Sequence, residues 1–360
     1  MKVCNRVIKI NGTNVGDDAP CFITFEAGPT HQGLESAIRL AKYAKEAGGD
    51  AIKFQVFDPI RLVADPSLPF TYQVLIDAVT EKMETVTEPL REILLRRKLK
   101  QEEWRELKKY CDKIGLAFFA TACFHEDVDL LVEIGCQSIK IASADVNHLP
   151  FIRYAARTGL CIQLDTGMAS LGEIELAVDT IRNEGNANIV IHHCPSGYPA
   201  HLESINIRTI PTIKRIFGCP VAFSDHSPGW DMDIAALAVG ANMLEKTITE
   251  NRTTRSVEHI MSLEPQDMLK FVKVIRDVEV ALGNPRRALT DEERQKRNAV
   301  RRSLHVTRDF PIGHVITEVD IDYRRPGLGI TPDRLSEVLF RPLKVKKMAG
   351  QRLEWGDLGK

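Results

Sequence analysis

Short apolar runs, each about four to eight residues long and hydrophobic at almost every position, recur along the first three quarters of the chain. Eight read as strands, at 21–26, 50–57, 116–120, 138–143, 160–165, 188–193, 220–224 and 242–248. Runs apolar on both faces suit parallel strands covered on both sides, because an exposed face would show as polar alternation. Between them lie amphipathic stretches of helical period. In ESAIRLAKYAKEAGG, Ala37, Leu40, Ala41 and Ala44 share one face and Gly48 or Gly49 supplies the stop; in LKQEEWRELKKYCDKIG, Trp104, Leu107 and Cys111 point inward and Gly115 ends the helix. Strand and helix alternating eight times predicts an α/β chain folded as a (β/α)8 barrel. No glycine-rich dinucleotide fingerprint follows the first run to favour a doubly wound sheet.

Two stretches break the rhythm. Residues 58–98, with Pro59, Pro66, Pro69 and Pro89, exceed a barrel loop plus helix, and an insertion at this face forms a lid or one wall of the pocket. After Leu282 the alternation stops, and a charged segment precedes short β-like runs separated by turn residues such as Pro311, Gly313, Pro326 and Gly327. The expected organisation is a barrel domain over 1–285, a linker over 286–300 and a small β-rich domain over 301–360.

Composition narrows the partners. The 360 residues, 44% hydrophobic, suffice for a large core, while 48 basic against 49 acidic residues leave no overall field for nucleic acid or an anionic membrane. MKVCNRVIKINGTNV lacks the apolar stretch of a signal peptide and no segment has the length of a membrane span, so a cytoplasmic location is expected. The eight cysteines lie far apart without a C-x-x-C pair, which predicts buried reduced thiols rather than a disulfide or a zinc site.

The far ends of the strands carry the chemistry, because in a barrel they all open on one pocket. Lys53, Lys140 and Lys246 end three of them and predict an anion pocket, with Thr121, Ser143 and Thr166 adding hydroxyls. Glu26, Asp145, Asp165, Asp225 and Glu258 are carboxylates able to hold a hydroxylated substrate or move protons, and His31 and His226 are the best-placed imidazoles for a metal or a proton. His192 and His193 read as core or rim residues. Cys123 and Cys194 have no base beside them and read as packing residues.

In EAGPTHQG, DAIKFQVF, KIASADVNHLP, DTGMAS, FSDHSPG and SLEP, and in RRSL and RPGLGI near the C-terminus, the chain resembles the sialic acid synthase family with its antifreeze-like C-terminal domain. The resemblance implies a cytoplasmic transferase that condenses phosphoenolpyruvate with a 2-acetamido hexose, N-acetylmannosamine or a related sugar, to give a nonulosonic acid and phosphate. It assigns Lys53, Thr121, Lys140, Ser143, Ser196 and Ser224 to phosphoenolpyruvate, and Glu26, Lys53 and His226 to catalysis. Asp145, Tyr198, Glu258 and Arg325 fall to the acceptor sugar, where the family more often has Glu at the first position and Asp at the third. It also implies a domain-swapped homodimer in which Arg325 enters the barrel mouth of the neighbouring subunit, and a divalent cation, Mn²⁺ or Mg²⁺, held by His226. The family's second metal histidine is Thr247 in EKTIT here, a poor ligand for such a cation, with His31, His193 and Glu26 as substitutes. Asp165 stands where the family usually has serine, beside an expected anion.

The residues leave other chemistries open. Three strand-end lysines suit a Schiff-base aldolase. A synthase for a phosphorylated, 2,4-diacetamido or non-acetylated sugar fits the same pocket, as does a catalytically silent sugar-binding paralogue.

Overall fold

Eight parallel strands close into a barrel in this computed structural model, which describes residues 4–360. An antiparallel hairpin comes first, β1 (Val7–Ile10) and β2 (Thr13–Gly16). The barrel and its helices follow as β3 (Phe22–Glu26), α1 (Leu34–Glu46) and β4 (Ala51–Val56). Next comes an insertion of α2 (Pro59–Leu62), β5 (Pro69–Asp77), β6 (Lys82–Pro89) and α3 (Leu90–Leu95), and the alternation resumes with α4 (Gln101–Ile114), β7 (Ala117–Ala122), α5 (His125–Glu133), β8 (Ser138–Ile141) and α6 (Leu149–Arg157). It is completed by β9 (Cys161–Asp165), α7 (Leu171–Asn183), β10 (Ile189–His193), α8 (Leu202–Ile205), α9 (Thr209–Phe217), β11 (Val221–Asp225), α10 (Asp231–Ala238), β12 (Met243–Thr247) and α11 (Pro265–Leu282). β12 pairs with β3 and closes the ring. All eight expected strands are present, with ends shifted by at most two residues.

Strand side chains alternate, so each strand sends one set into the barrel and one against the helices. Phe22, Ala51, Ala117, Phe119, Cys161, Val190, Ala222 and Met243 point inward near the strand starts, where they join Ile8, Ile10 and Val15 of the hairpin in one apolar cluster. The hairpin therefore plugs that end of the barrel. Its two-residue loop, Asn11 and Gly12, has φ of 49° and 82°, the mirror-image turn whose twist matches the strands. The larger cluster lies between strands and helices and includes Phe25, Phe54, Phe151, Phe223 and Phe271.

The cysteine expectation fails at one pair. Cys4 and Cys219 are disulfide-bonded across 215 residues, a pairing made by the fold and invisible in the spacing, while the other six are free.

The chain divides into two compact units, Met1–Gly283 and Asn284–Lys360. Part of the stretch expected as linker is instead helix α12 (Asp291–Val300), capped by Thr290. The second unit also holds an antiparallel pair, β13 (Ser303–Val306) and β14 (Ile321–Arg324), over a small core that includes Leu304, Phe310, Ile316 and Leu353.

Candidate active site

The first residue that the barrel delivers to its mouth is a carboxylate on β12, not the lysine beside it. Glu245 shares the inward parity of Met243, so it faces the strands across the barrel and its Oε1 accepts from three groups. These are Lys140 Nζ at 2.5 Å, Lys53 Nζ at 2.9 Å and Ser224 Oγ at 3.0 Å. Lys53 also pairs with Glu26, and Lys140 lies 3.1 Å from Asp165. Beneath them His192 Nδ1 is 3.4 Å from Lys140 Nζ, and its Nε2 meets Gln163 at 2.9 Å. Five strands thus contribute to one buried network of two ammonium groups and three carboxylates, and every ionic member is less than one tenth exposed.

Burial dominates the proton affinities here, and the neighbours decide its outcome. It raises the pKa of Glu26 and of Asp165, which also feel Glu245. Burial works the same way on Glu245, but Lys140 and Lys53 outweigh it and hold this carboxyl well below its ordinary range. Burial opposes charge on Lys53, yet Glu245 and Glu26 keep its ammonium firmly protonated. His192 is driven well below its ordinary pKa by burial and by Lys140, and is neutral.

Above the network a cavity of about 310 Å³ opens. Glu26, Lys53, Thr121, Ser143, Asp145, Asp165, Tyr198, Ser224, His226 and Glu258, all singled out in the sequence, line it. The insertion supplies the expected wall through Leu62, Phe70, Leu90, Leu94 and Arg97. Ser143 Oγ accepts from Gly167 N at 2.9 Å, which ties the ends of β8 and β9 together. Glu26 Oε1 accepts from Gly28 N at 2.5 Å. Glu258 sits at φ 73°, a left-handed conformation that costs a non-glycine residue on the order of 1 kcal/mol, and burial pushes its carboxyl up to about 7.

Several expected residues lie elsewhere. Lys246 has the outward parity of β12, so it pairs with Asp225 and lies 3.3 Å from Asp233, behind the barrel wall. Of the three lysines only Lys53 therefore lines the cavity, Lys140 lies fully buried in the network beneath it, and Asp225 is a structural partner of Lys246. His31 packs edge-on against Phe54 and Trp104 in the outer core. His193 also points outward, to Ile205 O at 2.6 Å and against Phe223. Neither can replace a missing ligand in the cavity. Ser196 lines a neighbouring cavity of about 340 Å³, and Arg325 is an exposed residue of the second unit. Burial raises the pKa of the Cys123 and Cys194 thiols, against a nucleophilic role.

The donor set does not fit a resident divalent cation. Among the described residues no three His, Cys, Asp or Glu side chains gather in a metal-binding arrangement. His226 is the lone imidazole on the cavity: its Nδ1 is 3.1 Å from Pro195 O, Tyr198 lies on its ring at 4.7 Å, and burial lowers its pKa to about 4. Thr247 is inward and buried, opposite Glu26 on β3, but offers only a hydroxyl.

Sequence reasoning passed over Glu245, Gln163, His192 and Arg97 as site residues. For Gln163 the signal was present, because it stands two residues before Asp165 and so shares its face; for Glu245 and His192 the adjacent Lys246 and His193 compete, and only the closed barrel settles which parity is inward. Arg97 lies just past α3 in the insertion, where no strand parity applies.

Comparison with known proteins agrees with this geometry. The family model described as "NeuB family" matches residues 40–287. The N,N'-diacetyllegionaminic acid synthase of Legionella pneumophila is 33% identical over 353 residues, covering 96% of this chain and 97% of that protein. Human N-acetylneuraminate-9-phosphate synthase is 30% identical over 311 residues, covering 85% of this chain and 83% of the relative. A crystal structure of N-acetylneuraminic acid synthetase from Leptospira borgpetersenii serovar Hardjo-bovis superposes with a TM-score of 0.70 at 28% identity, over 82% of this chain and 96% of that one.

Proposed function

The chain belongs to the NeuB family and is a phosphoenolpyruvate-condensing transferase, and we propose that its acceptor is a 2-acetamido hexose such as N-acetylmannosamine or a close relative. The observation that carries this reading is Lys53 at the cavity floor, with Lys140 fully buried beneath it on the shared Glu245 and the Thr121, Ser143 and Ser224 hydroxyls on the same lining, as a receptor for a small anion bearing phosphate and carboxylate.

In this reading C3 of phosphoenolpyruvate attacks the open-chain aldehyde of the sugar, water adds at C2, and phosphate leaves with C–O cleavage. Glu26, fixed between Gly28 N and Lys53, orients the water and takes its proton. Glu258, half protonated near neutral pH, gives a proton to the oxygen of the former aldehyde. His226 is neutral and bounds the acceptor side together with Tyr198 and Asp145. Mn²⁺ or Mg²⁺ has no part in these steps, because His226 and Thr247 alone are too few donors for such a centre. Ser196 and Arg325 enter as the resemblance assigns them, Arg325 from the neighbouring subunit of a homodimer.

A Schiff-base route is disfavoured: Lys53 is held charged by two carboxylates, and Lys246 is turned out of the barrel. The deciding experiment is phosphate release from phosphoenolpyruvate against N-acetylmannosamine and other amino sugars, with Mn²⁺, with Mg²⁺ and with a chelator. Sugar-dependent release is expected. No release with any sugar from the folded protein overturns the reading, and borohydride trapping of substrate on lysine would replace it with aldolase chemistry.

A further inference from the structure

Cys4 and Cys219 meet at the end of the barrel opposite the candidate site, where their disulfide ties the corner between α9 and β11 to the segment before β1. A cavity of about 270 Å³ opens there, lined by Arg6, Lys214 and Arg215. Asp17 is the one carboxylate on its lining, and it is held by Lys214 and by Asn242 Nδ2 at 3.1 Å. Three cations against one carboxylate make the cavity electropositive, so it draws an anion. Cys219 belongs to its lining and Cys4 does not.

Cys4 has a different neighbour. Arg182 Nη2 donates to Cys4 Sγ at 3.2 Å and to Phe217 O at 2.8 Å, while Arg182 Nη1 is 3.5 Å from Asp179 Oδ1. A guanidinium that donates to a sulfur favours negative charge on it, and in disulfide exchange the sulfur that bears charge better is the better leaving group. The two halves of the pair are therefore unlike: one is reached from a cationic cavity, and the other is prepared to leave. The segment is also held without the bond, since Asn5 N donates to Ala187 O at 3.0 Å and Asn5 Nδ2 to Asn188 Oδ1 at 2.7 Å. The two sulfurs stay close when the bond is open, and the reaction can run in both directions.

We propose that Cys4–Cys219 is a thiol–disulfide exchange site for an anionic low-molecular-weight thiol, with Arg6, Lys214 and Arg215 receiving its carboxylates. A thiolate RS⁻ in the cavity attacks Cys219 Sγ, the disulfide bond breaks with its electron pair on Cys4 Sγ, and a mixed disulfide forms on Cys219. A second RS⁻ attacks the sulfur of the bound R–S group, which gives RSSR and the Cys219 thiolate. The two protons shed by the thiols pass to Cys4 and Cys219, so two thiols supply the two electrons that the disulfide takes up. The proposal is independent of the sugar and of the condensation.

The test uses the folded full-length protein and glutathione as the probe. Peptide mapping without reductant is expected to show Cys4 joined to Cys219; free thiols that persist in oxidised glutathione overturn the proposal. Reduction is then timed by mass spectrometry with glutathione, with neutral 2-mercaptoethanol and with cationic cysteamine, each rate corrected for the thiolate fraction of the reagent. Glutathione is expected to be fastest. R6Q/R215Q, in which both replaced residues are exposed, should slow glutathione about fivefold or more and leave 2-mercaptoethanol unchanged. Equal corrected rates, an unaffected glutathione rate in R6Q/R215Q, or a disulfide that yields only after denaturation overturns the proposal, the last being the behaviour of an inert staple. C4S in oxidised glutathione should take up glutathione on Cys219, and C219S far less on Cys4; the reverse order overturns the direction of attack. R182Q is expected to slow all three thiols by a similar factor, and an unchanged rate shows that Arg182 does not assist Cys4 as leaving group.

Discussion

Lys140 and Glu245 meet at 2.5 Å inside the barrel, 105 residues apart in the chain, and their contact joins β8 to β12 across the floor of the cavity. Lys140 is fully buried and Glu245 nearly so. Each charge is tolerable because the network opposes it, Lys140 by Glu245 and Asp165 and Glu245 by Lys140 and Lys53.

Replacing Glu245 with Gln should therefore cost stability as well as activity. Its removal leaves Lys140 with Asp165 alone and Lys53 with Glu26 alone, so the loss falls at or below about 3–5 kcal/mol, the typical cost of breaking a buried pair. Urea denaturation of E245Q at pH 7.5 is expected to show a loss of that order, and KM for phosphoenolpyruvate should rise about tenfold or more. A variant of wild-type stability would mean that Lys140 is not anchored as described.

Asp165 has the opposite sign of effect. It lies 3.1 Å from Lys140, where an incoming anion would seek the same ammonium, and burial already raises its pKa. D165N removes the like charge, so phosphoenolpyruvate is expected to bind roughly fivefold tighter, on the order of 1 kcal/mol, at pH 8. Lowering the pH should tighten binding to wild type but not to D165N. Weaker binding in D165N would place the anion away from Lys140.

Gly28 holds Glu26 through its amide and has no room for a side chain. A Cβ there would stand 2.6 Å from Glu26 Oε1 and from Gln55 Cγ, and 2.9 Å from the Gln55 backbone nitrogen. G28A should displace Glu26 and lower kcat at least tenfold while phosphoenolpyruvate affinity changes little. Equal losses in both would show that the whole floor has moved.

Glu258 should set a pH dependence. Its folded-state pKa is about 7 against an ordinary value of 4.5, so the folded protein holds this proton more tightly than the unfolded chain. Its contribution to stability is complete below about pH 4.5 and is lost as the pH rises through about 7. The acceptor kcat/KM is expected to fall above pH 7 with this ionisation, and E258Q should flatten both that limb and the matching part of the stability profile. A limb that survives in E258Q belongs to another group.

The amino-acid pattern by itself determined the eight strands, their order and the insertion, because strands covered on both faces must be apolar at nearly every position and helices between them must be amphipathic. It also placed Lys53, Glu26, Ser143 and His226 at strand ends, and in a barrel all such ends share one mouth. The Asn11–Gly12 hairpin was not among the expected elements, although that dipeptide between alternating residues is the signal of a mirror-image turn. Only the closed tertiary structure decided which parity of β12 faces inward, and with it that Glu245 rather than Lys246 completes the network. A shift of one residue exchanges the two faces of a strand, and neither face of MLEKT is decisively more apolar than the other. The disulfide between Cys4 and Cys219 and the burial of Arg97 without a partner likewise come from chain segments meeting in space, for which local sequence carries no signal.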